Sequence, residues 1–293
     1  MSLYTKIVSG VLFPLHERLK GHSTVEALRS MERSQWLSPQ ELQQLQVRRL
    51  RDFLTRIGRD VPYYRELFKS IDFDPVRLSS LKDLQRLPLT GKADIRKNMD
   101  GLRAEHAGTL EKFSTGGSSG EPLIFYRGKE RVSHDVAAKW RATRWWGVDI
   151  GDPEIVVWGS PIELGSQDRI RLVRDKLLRT ELLSAFEMSN ANLLQFIQRL
   201  QKFRPRMLFG YPSSLALMAE FAGNNGYKVD DLGIKVVFVT SERLYEHQRK
   251  SIEVTFGATV ANGYGGRDAG FIAHQCPHGA MHITAEDIVV EIV

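Results

Sequence analysis

The stretch Arg206-Met207-Leu208-Phe209-Gly210-Tyr211-Pro212-Ser213-Ser214 places a short apolar run directly before a proline and two serines. Such a run predicts a buried strand, and proline is favoured at the first position of a helix. Similar apolar runs occur at 154–159 and 235–240, and segments with helical periodicity follow at 190–203 and 244–256. This alternation predicts an α/β fold in which parallel strands are joined by right-handed helical crossovers.

The beginning of the chain has a different pattern. Ser38-Pro39-Gln40-Glu41 is typical of a helix start, and apolar residues then recur at helical spacing as far as Ile57. We predict a helical N-terminal segment, residues 1–85, that packs on a core of residues 86–293. The apolar run 7–15 is too short to span a bilayer. It could rest on a membrane surface, but we expect it to pack against the next helix.

The end of the chain is predicted to be extended. A short strand at 259–262 should lead into a glycine-rich loop at 263–266, and the apolar run 288–293 indicates a last strand within 284–293.

Composition narrows the class of protein. The 293 residues are 42% hydrophobic and 26% charged, which is typical of a soluble globular protein. The net charge is +6, but Lys and Arg are scattered among Asp and Glu, so we expect no nucleic-acid partner. Cys276 is the only cysteine, so no intrachain disulfide can form and a cytoplasmic location is the default expectation.

One loop has an unusual composition. The nine residues from Ser114 to Pro122 include four hydroxyl side chains and three glycines. Glycine lets successive backbone N–H groups point into one concavity, which suits a phosphate. The loop is not a Walker motif, because Glu121 rather than lysine follows the last glycine. Composition alone favours a flexible linker, yet a single short run closed by proline is poorly suited to spacing domains.

The predicted sheet indicates where ligands should bind. In open α/β sheets, ligands lie beyond the carboxyl ends of the strands. The predicted turns at those ends are 159–161, 210–212, 240–243 and 263–270.

Three histidines and the only cysteine lie in the segment 274–282. A turn there could gather His274, Cys276 and His282 around zinc. The preferred interpretation is a loop with scattered polar side chains, because the cysteine has no Cys-x-x-Cys partner.

The order of these motifs resembles that of the adenylate-forming superfamily, in particular the phenylacetate-CoA ligase branch with its CapK type. The motifs that follow the family order are 61–65, 87–92, 114–122, 210–214 and 264–270, and 274–283 is similar to the stretch after that branch's second core motif. The resemblance begins at about Leu37 and covers nearly all of the remaining chain. It implies the large N-terminal domain of an adenylate-forming enzyme, with a parallel sheet flanked by helices.

The resemblance also implies an activity and its ligands. A carboxylic acid would be activated by ATP to an acyl adenylate, with CoA as a possible acceptor and, from the CapK type, a possible link to capsular polysaccharide. The residues implied in holding phosphate are Ser114, Thr115, Gly116, Gly117, Ser118, Ser119 and Gly120. Tyr264 would lie against adenine, Ser241, Glu242 and Arg243 would line its other side, and Gly265 would allow a close backbone approach.

Two positions depart from the family pattern. Asp268 stands where the family normally has a glutamate that holds Mg²⁺, so we assign it the catalytic and metal-binding role with a side chain one methylene shorter. Glu121 stands where many relatives have lysine.

The resemblance also implies where the acid would bind. The acyl pocket would be bordered by Trp158, Ser160, Tyr211, Pro212 and Ser241.

Family members continue with an aspartate motif for the ribose and a small mobile domain that carries a lysine. The sequence stops at Val293, before either of them, so we interpret residues 86–293 as an incomplete adenylation core that lacks the mobile domain. A non-catalytic nucleotide-binding fragment or degenerate paralogue is the alternative function.

Overall fold

The computed structural model describes residues 2–115, 122–159 and 169–292, without the side chains of 169–172. The chain divides into two compact units, each built from separated parts of the sequence. The helical unit comprises His22–Ala137, Arg267–Gly270 and Ile283–Val293. The sheet unit comprises Met1–Gly21, Ala138–Gly266 and Phe271–His282. The division at residue 85 stays a prediction.

The helical unit begins with helices, as the sequence predicts. They span Thr24–Ser34, Pro39–Asp60, Pro62–Ser70 and Lys92–Lys97, with 3₁₀ turns at Pro75–Arg77 and Leu81–Arg86. The predicted start at Ser38 is confirmed, because the Ser38 hydroxyl accepts the Glu41 N–H and the Glu41 carboxylate accepts the Ser38 N–H. This pair of bonds satisfies two donors that a helix start leaves free. Four buried side chains form the small core of this unit: Leu54, Phe68, Phe73 and Leu78.

A hairpin follows in the same unit. Strand β1 (Glu111–Ser114) pairs antiparallel with β2 (Ile124–Arg127), and the helix Lys129–Trp145 comes next. The sequence did not predict the hairpin, because β1 is mostly exposed and carries no apolar run.

Within the described residues, the sheet unit is organised around a seven-stranded sheet. Its strands are β3 (Glu154–Trp158), β4 (Thr180–Ser184), β5 (Met207–Gly210), β6 (Val236–Val239), β7 (Thr259–Gly266), β8 (Gly270–Gln275) and β9 (Met281–Ile283). The spatial order is β4-β3-β5-β6-β7-β8-β9, and the pairs from β4 to β7 are parallel. The predicted parallel arrangement is therefore confirmed.

Helices cover both faces of this sheet. The helices that join its strands span Arg169–Leu178, Asn190–Phe203, Pro212–Asn224 and Glu246–Phe256. Successive residues of β5 point to opposite sides. Leu208 joins a core with the last three of these helices, whereas Met207 and Phe209 join a second core with Ala142 of the helix Lys129–Trp145. Burial on both faces explains why the parallel strands are continuously apolar.

Two predictions about the chain end are wrong. Strand β7 continues to Gly266 instead of ending at Asn262. The glycine at 263, which the sequence analysis assigned to a loop, is buried in the strand, where an added Cβ would lie 3.2 Å from the Phe238 ring. The described residues of 284–292 contain no strand. Instead, the Thr284 carbonyl accepts the N–H groups of Asp287 and Ile288, which forms a turn.

Polar contacts hold that turn in the helical unit. The Ser34 hydroxyl donates to the buried Glu286 carboxylate at 2.7 Å, and Arg49 donates to the Glu286 carbonyl at 2.9 Å. Because these partners lie more than 200 residues earlier in the chain, a local apolar pattern cannot reveal them.

Candidate active site

The turns predicted to hold ligands do follow neighbouring strand ends of the sheet unit. The pairing register places Val157 of β3 beside Gly210 of β5, Gly210 beside Val239 of β6, and Val239 beside Asn262 of β7. The residues that continue from these positions therefore emerge along one edge of the sheet.

Aromatic side chains gather at this edge. The rings of Trp158 and Tyr211 stack with centroids 4.3 Å apart and planes 15° apart, and Phe186 meets Tyr211 edge-on at 6.4 Å. Two of the predicted acyl-pocket residues are thus in contact. Pro212 is buried at the first position of the helix Pro212–Asn224, and Ser160 lies outside the described residues. Sequence reasoning missed Phe186, which follows the unpredicted strand β4.

The turn after β6 is held in a defined shape. The Thr240 N–H donates to the Gly210 carbonyl at 3.1 Å, and Ser241 has φ +71°, a left-handed conformation that is uncommon for serine. The Glu242 carboxylate accepts the Ser213 N–H at 3.2 Å. A carboxylate is favourable there because helix starts carry free N–H groups and partial positive charge. Ser241, Glu242 and Arg243 are all exposed.

Tyr264 lies on the neighbouring strand. Its side chain is 63% exposed, although it belongs to β7 rather than to the predicted loop. Both Tyr264 and Ser241 stand two residues beyond the paired positions Asn262 and Val239. Tyr264 and Gly265 of β7 and the turn 240–243 after β6 therefore both lie just beyond the last paired positions of two neighbouring strands in the sheet unit.

Asp268 belongs to the helical unit and lies in the turn 267–269, directly before Gly270, the first residue of β8. Gly270 has φ +72°, and a side chain there would overlap the Asp135 carboxylate and the Arg131 guanidinium. Arg131 is ion-paired with Asp135 and with Asp287. Burial opposes the charge of Arg131, but the hydrogen bonds and charges of these two carboxylates raise its pKa overall.

The fixed turn leaves the Asp268 carboxylate exposed. Carboxylate oxygen is the donor that Mg²⁺ prefers, so the residue fits the metal that the resemblance implies. The supporting pair Arg131–Asp135 escaped sequence reasoning, since it lies more than 130 residues before the turn.

Hydrogen bonds join Thr115, near the start of the predicted phosphate loop, to Leu123, the residue after the loop. Ser114 is exposed at the end of β1. The Thr115 N–H donates to the Leu123 carbonyl at 3.0 Å, and the Leu123 N–H donates to the Thr115 hydroxyl at 2.9 Å. The predicted phosphate-binding residues Gly116, Gly117, Ser118, Ser119 and Gly120, together with Glu121, lie outside the described residues.

Thr115→Val should weaken the link between Thr115 and Leu123 on the two sides of this loop. The buried Leu123 N–H loses its side-chain acceptor, which costs about 1 to 2 kcal/mol. We expect faster hydrogen exchange of the Leu123 amide and a lower unfolding midpoint of the helical unit. Thr115→Ser keeps the hydroxyl and is the matched control. Equal exchange rates in the two variants would show that the hydroxyl does not hold the loop.

The zinc alternative finds no support. Across residues 2–115, 122–159 and 169–292, no three His, Cys, Asp or Glu side chains form a group that could hold a metal ion. His274 is fully buried between Phe238 and Phe271, whereas His282 is exposed and packs edge-on against Trp145. Strands β8 and β9, which the sequence did not predict, set these different surroundings.

Comparison with known proteins identifies the relatives of this chain. No family model matches the sequence. Protein CapK of Staphylococcus aureus is 26% identical over 252 residues, which cover 86% of this chain and 56% of CapK. The phenylacetate-coenzyme A ligase of Pseudomonas putida is 26% identical over 228 residues, covering 76% of this chain and 50% of the ligase. The chain is a homologue of CapK and the phenylacetate-coenzyme A ligases. The resemblance seen in the motifs is thereby confirmed, and the chain spans about half the length of the curated relatives it matches.

A solved structure confirms the fold. The structure of 2-hydroxyisobutyryl-CoA ligase in complex with 2-HIB-AMP and CoA matches with a TM-score of 0.65 at 20% identity, covering 83% of this chain and 53% of that chain. The predicted fold, a mostly parallel sheet flanked by helices as in the N-terminal domain of adenylate-forming ligases, is confirmed.

Proposed function

We propose that this chain carries the nucleotide-binding core of a ligase that uses ATP to activate a carboxylic acid as an acyl adenylate. The observation that carries the proposal is that exposed Tyr264 and the turn 240–243 lie just beyond the paired positions Asn262 of β7 and Val239 of β6, with Ser241 in a left-handed conformation. A flat ring beside a fixed polar turn suits a purine base. The names of the curated relatives support CoA as the acceptor.

Each remaining candidate has a defined part in the proposal. The loop Ser114–Gly120 would hold the phosphates through N–H and hydroxyl donors, where negative charge builds up as pyrophosphate leaves. Asp268 would hold Mg²⁺, which supplies positive charge against those phosphates. The stacked pair Trp158 and Tyr211 would border the acid, and its flat aromatic surface favours a planar acid.

A nucleotide-binding protein without ligase activity is the second candidate. It is favoured by Asp268, since the shorter side chain changes the reach of the carboxylate toward the metal. Both candidates bind ATP, so only a measurement of the chemical step separates them.

ATP binding tests the part of the proposal that both candidates share. The double variant Ser118→Ala, Ser119→Ala should raise the Kd for ATP·Mg²⁺ about a hundredfold or more, because hydrogen bonds to charged groups contribute about 1.5 to 3 kcal/mol each. Isothermal titration calorimetry measures this change. Ser70→Ala removes an exposed hydroxyl elsewhere in the helical unit and should leave the Kd unchanged. If the parent chain binds no ATP at millimolar concentration, the proposal fails.

Pyrophosphate exchange separates the two candidates. The chain is incubated with ATP, labelled pyrophosphate and a panel of aromatic and aliphatic carboxylic acids. Acid-dependent exchange supports the ligase and excludes the non-catalytic protein. ATP binding without exchange for any acid, from a chain whose Kd responds to the serine variants, supports the non-catalytic protein instead.

A further inference from the structure

The first helical segment carries a row of exposed apolar side chains in the sheet unit. Leu3, Ile7, Val11, Leu15 and Leu19 follow one another at four-residue spacing and are 45% to 80% exposed. We call this row the apolar stripe. Surface rows of this size are uncommon on soluble proteins and mark sites of interaction.

A π turn keeps the apolar stripe on one face. The segment is α-helical at Leu3–Ile7 and Phe13–Leu19, with a π turn at Val8–Leu12 between them. In this turn the Phe13 N–H donates a hydrogen bond to the Val8 carbonyl, five residues earlier. On a plain α-helix, each four-residue step overshoots a full turn by about 40°, so the row would wind around the helix. The wider π turn cancels part of this drift. Such turns are rare and occur frequently at functional sites.

The opposite face is fixed to the sheet unit. Thr5 is fully buried and its hydroxyl donates to Asp152 at 2.9 Å. Val8 is also fully buried, and it packs so tightly on Gly151 that a side chain there would lie 2.5 Å from the Val8 Cβ. The segment is therefore held with its apolar stripe outward. The expectation that the run 7–15 packs against the next helix is wrong for Ile7, Val11 and Leu15, whose side chains are exposed.

A second helix widens the apolar surface within the same unit. The Tyr4 hydroxyl donates to the Leu177 carbonyl at 2.8 Å, at the end of the helix Arg169–Leu178. The side chains of Leu177 and Val173 on that helix are exposed as well. The surface is thus broader than a single helix face.

The exposed charges on the segment that carries the apolar stripe are all positive. Lys6, Arg18 and Lys20 are exposed on the same segment, whereas its acidic residue, Glu17, is buried beside His16. A second copy of this face would bring like charges together, which disfavours self-association. An anionic lipid surface accommodates both the apolar row and the basic flank, as it does for interfacial amphipathic helices.

We propose that the apolar stripe binds the surface of an anionic lipid bilayer, with Lys6, Arg18 and Lys20 meeting the headgroups. No helix in the described ranges is long and apolar enough to cross a membrane. This role is separate from the ligase activity and does not depend on it.

Vesicle flotation tests the proposal with the full chain. The parent should float with vesicles of phosphatidylcholine and phosphatidylserine, and much less with phosphatidylcholine alone. Val11→Ser with Leu15→Ser should reduce the bound fraction about tenfold, since burial of apolar surface provides the binding energy. Lys6→Glu with Lys20→Glu should remove the preference for phosphatidylserine.

Val254→Ser is the matched control, because Val254 is an exposed valine on another helix of the sheet unit and should float like the parent. Unfolding midpoints followed by circular dichroism show whether each variant is folded, independently of any ligase activity. Three outcomes would overturn the proposal: no flotation of the parent, equal flotation of the Val11 and Leu15 variant, or a dimer in solution that this variant dissociates and that does not bind vesicles.

Discussion

Gly210→Ala is expected to lower the free energy of unfolding of the sheet unit by about 2 to 4 kcal/mol. Gly210 ends β5, where an added Cβ would lie 2.6 Å from the Val157 carbonyl oxygen and 3.1 Å from the Val157 Cβ. These are atoms of a central strand, since β3 pairs with β4 on one side and with β5 on the other. Neither atom can move aside without disturbing the pairing of three strands.

The same substitution should damage the candidate site. Tyr211 follows Gly210 directly, and its ring stacks on Trp158 of β3, so pushing β5 away from β3 separates the stacked rings. Urea unfolding followed by tryptophan fluorescence measures the effect, because every tryptophan except Trp36 lies in the sheet unit.

Gly223→Ala is the matched control for this prediction. Gly223 lies near the end of the helix Pro212–Asn224, and no atom lies within 4 Å of an added Cβ. Because alanine is the better helix former, this variant should be as stable as the parent or slightly more stable. If Gly210→Ala unfolds at the same urea concentration as Gly223→Ala, the close approach of β5 to β3 is not a constraint on the fold.

The parts of the fold that the sequence predicts are those with local signals. Strands buried on both faces need continuous apolar runs, and the helices between them need apolar residues at helical spacing. Both patterns predict β3, β5 and β6 and the helices Asn190–Phe203, Pro212–Asn224 and Glu246–Phe256 to within a few residues, whereas the helix Arg169–Leu178 was not predicted.

The parts that could not be predicted depend on distant partners. Strand β4 lies at the sheet edge and is defined by its pairing with β3. The turn after Thr284 exists because Ser34 and Arg49 hold Glu286. In each case the deciding contact joins residues that no short stretch of sequence connects.

The same distinction applies to the site. The rule that ligands bind beyond the carboxyl ends of strands pointed to the turns 210–212 and 240–243, and the structure places both at neighbouring strand ends. The left-handed conformation of Ser241 and the support of Gly270 by Arg131 and Asp135 could not be predicted. Both features depend on contacts made in the folded protein, which the types of the residues do not reveal.

His274 is expected to make the sheet unit less stable in mild acid. The ring is fully buried against Phe271 and Phe238, and neither ring nitrogen has a hydrogen-bond partner in the part of the chain that the structure describes. Burial, assisted by the charge of Arg141, lowers the pKa of His274 to about 3. The folded protein therefore keeps this ring neutral in the range where the unfolded chain binds a proton.

The direction of the effect follows from that difference. Below the unfolded pKa of 6.5, only the unfolded state gains a proton, so stability falls as the pH falls and the loss ends near pH 3. The loss approaches about 1.4 kcal/mol for each pH unit, which amounts to about 2 kcal/mol between pH 7 and pH 5.

His274→Leu should remove this contribution. Urea unfolding at pH 7 and at pH 5 gives the loss of stability for each protein, and the variant should lose about 2 kcal/mol less than the parent. At pH 7 the variant should be at least as stable, because leucine buries no unpaired polar atom. His278→Leu changes an exposed histidine nearby and should behave like the parent. An equal acid loss in parent and His274→Leu would mean that the ring is protonated in the folded state or reaches water, because only a ring held neutral inside the protein can link folding to pH in this way.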